Sequence, residues 1–217
     1  MKIEYFGHSC FRITDSAGFS IVTDPFPEDV GFCMPNIEAD LVTISHNHYD
    51  HNAIEKITGK YVGANKPGRY KVAGHDVEGI ACWHDPLQGR LRGPSVAFKY
   101  RLDGLDVCHL GDLGETFSPE VAARFGHVDV LFIPVGGVFT IDAKEAKMYA
   151  DAIGAKIVIP MHYWVPGCTL NIDRVSEFSK RLRKEYLVEK PDGIYEVPDP
   201  ASLEQPEVVI MTRITRI

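Results

Sequence analysis

The chain has 217 residues, 45% of them hydrophobic, and a formal net charge of -7 at pH 7, which suits one domain over residues 1–217 and would cramp two. The acidic balance argues against nucleic acid as the main partner, because nucleic-acid binders carry a basic footprint. No long apolar run follows the first residues, so neither a signal peptide nor a membrane span is expected, and five scattered cysteines without a Cys-x-x-Cys pair fit free thiols in a reducing, cytoplasmic setting.

The runs IEYF, CFRIT and FSIVTD favour β structure and are separated by Gly-His-Ser and Ser-Ala-Gly turns, which predicts a meander. His8 lies in the first turn, where it either lines a pocket rim or bonds a backbone carbonyl. Asp24 ends the third run ahead of Pro25, which biases it toward extended geometry. PEDVGFCMP (27–35) reads as a loop able to overhang a pocket.

Leu41 to Ile44 reads as a buried strand, and His46, Asn47, His48, Tyr49, Asp50 and His51 follow as it runs out. His46 and His48 are two apart, so on an extended backbone their rings project to one side and can converge on one ion. Asp50 and His51 come where the chain turns and can begin a second site. The bland alternative is a polar turn with solvated rings, yet imidazole and carboxylate together are what a borderline divalent ion selects. A short helix is expected over 52–58, then strands at KYVGA, YKVAG and VEGIACW.

VEGIACW ends in His84, which supplies the third protein ligand that a site holding His46 and His48 lacks. His75, in a Gly-His-Asp turn, is expected to be solvated. The loop over 85–95 carries Arg90 and Arg92, two guanidinium groups that either grip a phosphate or carboxylate or lie in solvent. SVAFKYRL alternates and should be half exposed.

LDVCHLGD repeats the order of apolar strand, then ligand. Gly111 and Gly114 flank Asp112 and let the backbone approach an ion, and a carboxylate has two oxygens with which to bridge a pair. His109, on the strand itself, reads as a core residue or a support for the ligands. Ser118-Pro119-Glu120 opens a helix, VDVLFIPVG is a strand buried on both faces, and Asp142 caps a helix with Ala143, Ala146, Ala150 and Ile153 on one face, stopped by Gly154. AKIVIPM delivers His162, either a core residue or the partner of Asp50 and His51. A helix over 173–186 and a closing strand EVVIMTRI complete the pattern.

HNHYDH matches the His-x-His-x-Asp-His signature of the metallo-β-lactamase superfamily. GHSCFRI, TDPF (23–26), HLGDLG (109–114), PVGGVFTIDAKEA (134–146) and IPMHY (159–163) resemble its branch of small metal-dependent hydrolases that includes the ascorbate-6-phosphate lactonase, and the resemblance covers nearly the whole chain. It implies a four-layer αββα sandwich with the metal pocket along one edge. It also implies a bridging role for Asp112 and, for Asp24, a carboxylate that holds the His46–His51 loop in register.

The expected constellation is His46, His48 and His84 on one ion, Asp50, His51 and His162 on the other, and Asp112 between them, with His8 outside the ligand set. Zinc is the first expectation for the two divalent ions, and manganese or iron also suit these ligands. Such a pair lowers the pKa of a shared water, and the hydroxide attacks a carbonyl or phosphoryl centre while Asp50 takes up a proton. The expected function is therefore hydrolysis of a small anionic substrate, a lactone or a phosphoester. A nuclease of the tRNA-processing kind is the first alternative, disfavoured by the acidic balance and the lack of an appended RNA-binding module. A non-catalytic metal-binding or redox protein is the second, disfavoured by the intact ligand set and the lack of a flavin domain. The sequence names neither the substrate nor the oligomeric state, and a homo-oligomer stays open.

Overall fold

Short β-branched and aromatic runs punctuated by glycine turns give a molecule dominated by strands in the computed structural model, which describes residues 1–215. The first half holds β1 (Lys2–Gly7), β2 (Cys10–Thr14), β3 (Ser20–Thr23), β4 (Ile37–Glu38), β5 (Leu41–Thr43), β6 (Ile57–Thr58) and β7 (Val62–Ala64). Next come β8 (Gly68–Val72), β9 (His75–Trp83), β10 (Pro94–Leu102) and β11 (Leu105–His109). After α1 (Pro119–Ala123), β12 (Val130–Pro134) and β13 (Ile157–Met161) flank α2 (Ala143–Ile153), and α3 (Ser176–Ser179), β14 (Leu187–Lys190), β15 (Ile194–Glu196) and β16 (Glu207–Met211) follow.

One sheet has the order β15-β1-β2-β3-β5-β7 and the other β14-β16-β13-β12-β11-β10-β9-β8. They face each other across a shared core: Tyr5 stacks on Phe11 at 4.7 Å between centroids, and Phe11 meets Phe132 of the opposite sheet at 4.5 Å. A buried hydrogen bond of 2.7 Å joins Thr43 to Tyr100 across the same interface. Fully buried side chains of this size stabilise by roughly 1.5–3 kcal/mol each. Outside the second sheet lies α2, capped by Asp142 and ended by Gly154 in the left-handed region. Outside the first sheet a second apolar cluster of Phe6, Val22, Phe26, Met34 and Ile57 is covered by a 3₁₀ turn (Glu28–Val30) and the β4–β6 ribbon. The architecture is thus the αββα sandwich, with a thin outer layer on one side.

Local expectations differ from the structure at five points. The segment 52–58 forms a single 3₁₀ turn (Ile54–Lys56), because Ala53 N–H is drawn to Pro25 C=O at 2.9 Å and Ile57 joins β6. Over 173–186 only α3 and a 3₁₀ turn (Lys184–Tyr186) form: Asp173 is held by backbone bonds to Trp164 and Gly136, so tertiary pairing overrides helical propensity. The first half of β10 is buried on both faces, since Val96 N–H donates to Ser45 C=O beneath the histidine loop, and of its polar residues only Lys99 and Arg101 emerge. His75 is stacked on Phe19 at 4.0 Å with Asp15 at 3.5 Å, instead of being solvated. The 27–35 loop does not overhang the pocket; Val30 C=O and Asp29 C=O accept from Thr169, so it props the 165–170 segment. Among the described residues no helix is long and apolar enough to cross a membrane.

Strand direction is what positions the site. β1 and β3 both run antiparallel to β2, β5 is parallel to β3, β9 and β11 both run antiparallel to β10, and β12 and β13 are parallel to β11. Within each sheet these strands therefore end at one edge, and the residues after them gather there: His8, Asp24, His46–His51, His84, Asp112 and His162. Ligand sites at the carboxyl ends of parallel strands are a general feature of such sheets.

Candidate metal centre

Strand ends from both sheets bring six imidazoles and two carboxylates into contact. Oδ2 of Asp112 lies 3.3 Å from Nε2 of each of His51, His84 and His162, and 3.9 Å from Nε2 of His46. Nε2 of His46 is 3.0 Å from Nδ1 of His48. On the other side of Asp112, Nε2 of His8 lies 3.1 Å from Nε2 of His51 and 3.2 Å from Oδ2 of Asp50. The donors gather as His46 with His48 and His84 and as His8 with Asp50, His51 and His162, and a third set, His46 with His51 and Asp112, links the two. A tetrahedral ion with bonds of about 2.0–2.1 Å separates its ligands by roughly 3.3 Å, which is the spacing seen.

All the seven expected ligand residues therefore meet, and His8 joins them. It does not line the rim; it is buried in the second donor group. The Gly-His-Ser turn gave no spacing by which its direction could be read. Its backbone is left-handed (φ 55°), its C=O accepts from His162 N–H at 2.9 Å, and so the ends of β1 and β13 are locked together.

For His46 and His51 the nitrogen turned inward is set by an outer bond, whereas Nδ1 of His84 and of His162 is buried with no partner among the described residues. Asp24 is fully buried; Oδ1 accepts from Ser45 N–H at 2.7 Å, and Oδ2 accepts from Ser45 Oγ at 2.7 Å and from His51 Nδ1 at 3.0 Å. Ser45 Oγ, already donating to Asp24, accepts from His46 Nδ1 at 2.9 Å. These partners assign Nδ1–H to His46 and His51 and leave each Nε2 facing the cluster. Asp24, for which the resemblance implies an orienting carboxylate, bonds His51 directly and His46 through Ser45, a residue that carries no signal in the sequence because a lone Ser before a His is unremarkable. His109 turns away from the cluster, with Nε2 donating to Ser9 C=O at 3.0 Å and Nδ1 accepting from Gly111 N–H.

Gly111 and Gly114 are needed for a reason other than closeness to an ion. A Cβ on Gly111 would lie 2.6 Å from Ser45 Cβ, and one on Gly114 2.4 Å from the His84 carbonyl carbon, so each lets Asp112 be wedged between two ligand loops.

Electrostatics agree with lone pairs aimed inward for two of the rings, while at His51 burial is outweighed by the neighbouring Asp112 and Asp24, which raise its pKa well above the ordinary value, so that ring carries a proton where a metal ion would otherwise supply the positive charge. Burial, with nearby His162, lowers His8 to about 4, and burial with nearby His51 lowers His46 to about 3, so both rings are neutral at pH 7. Burial would raise Asp112, but the surrounding imidazoles hold it well below the usual carboxylate range. Asp112 Oδ1 is buried with no hydrogen-bond partner among the described residues. Unshared pairs facing one another around a carboxylate repel unless cations stand among them, and this donor set suits such ions.

The cluster opens into a cavity of about 460 Å³ lined by His48, Tyr49, Asp50, His84, Arg92, Asp112, Phe139, His162 and Leu170 among others. Arg92 and Arg90 part company here. Arg92 donates from Nη2 to Val138 C=O at 3.0 Å and stacks 5.5 Å from the Phe139 ring centroid, while Arg90 is exposed and lines no cavity described. Buried Asp85 sets this arrangement, its two oxygens accepting the N–H groups of Leu87, Gly89, Leu91 and Arg92 at 2.8–3.1 Å. The Asp85-Pro86 turn signal could have pointed to it. Val138 takes a left-handed backbone (φ 58°), costly for a β-branched residue, to present the carbonyl that holds Arg92.

Comparison with known proteins gives a consistent neighbourhood. Residues 2–162 match the β-lactamase superfamily domain. A metal-dependent hydrolase from Methanoculleus marisnigri is 32% identical over 85% of this chain and 89% of its own length, and one from Thermococcus onnurineus is 30% identical over 91% and 100%. Among solved structures, a Thermotoga maritima protein described as a Zn-dependent hydrolase of the metallo-β-lactamase superfamily superposes with a TM-score of 0.80 at 37% identity, covering 97% of each chain.

Proposed function

The chain belongs to the metallo-β-lactamase superfamily and is a metal-dependent hydrolase, and we propose that it cleaves a small anionic lactone or phosphoester over two divalent ions. In this reading His46, His48 and His84 hold one ion, Asp50, His51, His162 and His8 the other, and Asp112 lies between them. Zinc is the preferred metal for such imidazole and carboxylate donors; manganese or iron is the alternative. Bound ions would supply Lewis acidity and a water acidified toward neutrality.

The protein's own groups do the rest. Arg92, its Nη2 already engaged by Val138, offers its remaining N–H groups to a substrate carboxylate or phosphate. Asp24 and Ser45 fix the ligand rings, so little reorganisation is needed when charge develops. Asp50 faces the cavity as a carboxylate that His8 and His51 hold below its ordinary range against burial, which suits it to hold a cation and makes it a weak proton acceptor. Tyr49, Phe139 and Leu170 narrow the mouth around the reacting centre.

The observation that carries this reading is Asp112, buried, with four Nε2 atoms within 3.9 Å of one oxygen and, among the described residues, no hydrogen-bond partner for the other. Metal analysis coupled to assays against lactones, a bis-aryl phosphodiester and short RNA tests it. About two equivalents of divalent metal, turnover of a lactone or the diester, and loss of both metal and turnover in His48→Ala are expected. Full metal content in His48→Ala, or RNA as the preferred substrate, overturns it.

A further inference from the structure

The site cavity does not end at Arg92. Asn47, His48 and Arg92 form a wall shared with a second cavity of about 510 Å³, floored by β9 and β10. A lactone ring or a lone phosphate fills only a fraction of either space, since small-molecule sites of roughly 300–1,000 Å³ bury whole drug-sized ligands.

Its lining is chemically one-sided. In a chain of net charge -7, this cavity gathers Arg92, Lys66 and Arg124, and no carboxylate lines it. Lys66 makes no ion pair among the described residues. Glu115 holds Arg124 Nη1 at 2.8 Å and also accepts the Trp83 N–H, which fixes the guanidinium beside the cavity. Cations grouped in a concave, partly apolar recess focus a positive field on whatever enters.

Resting on the hydrolase reading above, we propose that the substrate is a double anion: one anionic group meets Arg92 at the reacting centre, and a second phosphate or carboxylate reaches across the adjoining cavity to Lys66 and Arg124. The chemical class is an organic bisphosphate or phosphate-carboxylate with a short body between its charges, which lies over Ala81, Cys82 and Val96. Charge complementarity and the shared wall at Arg92 select this occupant over a neutral or singly charged one.

Alkane-α,ω-bisphosphonates of three to eight carbons, compared with alkylmonophosphonates of the same lengths, test the proposal by calorimetric titration of the zinc-loaded full chain. The best-fitting bisphosphonate is expected to bind at least tenfold more tightly than its monophosphonate. Lys66→Gln is expected to remove most of that advantage and Lys66→Arg to restore it, with metal content and melting temperature those of the wild type. Equal affinities at every length, or an advantage that persists in Lys66→Gln, overturn it. Calorimetry reads binding alone, so a protein that turns over no lactone or diester would sink the hydrolase reading and leave this comparison decisive by itself.

Discussion

Asp24 touches no substrate-facing cavity, yet it decides how two ligand rings present themselves. Burial pushes its carboxyl up, and the His51 ring bonded to it outweighs that and holds it below the ordinary range, so it is an anion at pH 7. Asp24→Asn keeps the shape but replaces one acceptor oxygen by a donor, so His51 Nδ1 loses its fixed proton partner. Metal affinity should fall about 10–100-fold, as for other groups that orient ligands, with the fold retained; competition with a chromogenic chelator measures it, and unchanged affinity would remove Asp24 from this role. Arg92→Lys keeps charge and loses the planar fork, so KM for anionic substrates should rise about tenfold with a smaller change in kcat, read from steady-state kinetics. At this scale the sequence was uneven. His46, His48, Asp50 and His51 announce themselves by spacing, whereas His8 sits in an ordinary turn and Arg90 and Arg92 differ only in how the loop between Asp85 and Gly93 is wound.

That loop shows how an element without regular structure is made rigid. One carboxylate, Asp85, takes the place of a ladder by accepting four backbone N–H groups, and it too is held below the ordinary carboxylate range by those bonds, against burial. Asp85→Ala should free the segment: a new protease-sensitive site between residues 86 and 93 and a KM about tenfold higher are expected, while metal content stays that of the wild type. Retention of a wild-type cleavage pattern and KM would show that the loop does not depend on this anchor. The β1–β2 pair offers a pH test. Arg12 grips both oxygens of Glu4 at 2.7 and 2.8 Å with Lys2 beside it, and these cations outweigh burial to lower the Glu4 pKa. A depressed carboxyl stabilises the fold above its unfolded pKa and loses that contribution as pH falls through the folded value. Glu4→Gln should therefore cost about 1 kcal/mol or less at pH 7, with Arg12 partly exposed to solvent, and the difference from wild type should shrink as pH falls below the unfolded Glu value of about 4.3 and vanish once it passes the lowered folded value, read in denaturant titrations. Strands were legible in the sequence because alternation and turn residues mark them. The short helical stretches at 52–58 and 173–186 were not, because backbone bonds from distant loops decide them.

At the scale of the whole molecule, the donors come from both sheets: His8, Asp24 and His46–His51 follow strands of one, and His84, Asp112 and His162 follow strands of the other. The His-x-His-x-Asp-His signature made the sandwich legible, but no local pattern shows that the outer layer over the first sheet is thin or that six imidazoles and two carboxylates from both sheets meet at this edge. Three of the residues involved, His8, Asp24 and His162, are held left-handed without being glycine, a strain the surrounding contacts must support. Bound cations would relieve the facing lone pairs and cross-link the two sheets, while their removal returns mutual repulsion to a buried edge. A ligand that binds only the folded state at about 100 times its Kd stabilises by about 2.7 kcal/mol. For a chain of 217 residues that corresponds to a fall in Tm of about 5–10 °C on chelation. Calorimetry with and without chelator, followed by zinc restoration, reads it. If stripping the metal left Tm unchanged, the cluster would not be joining the sheets, and the ions would sit on one loop alone.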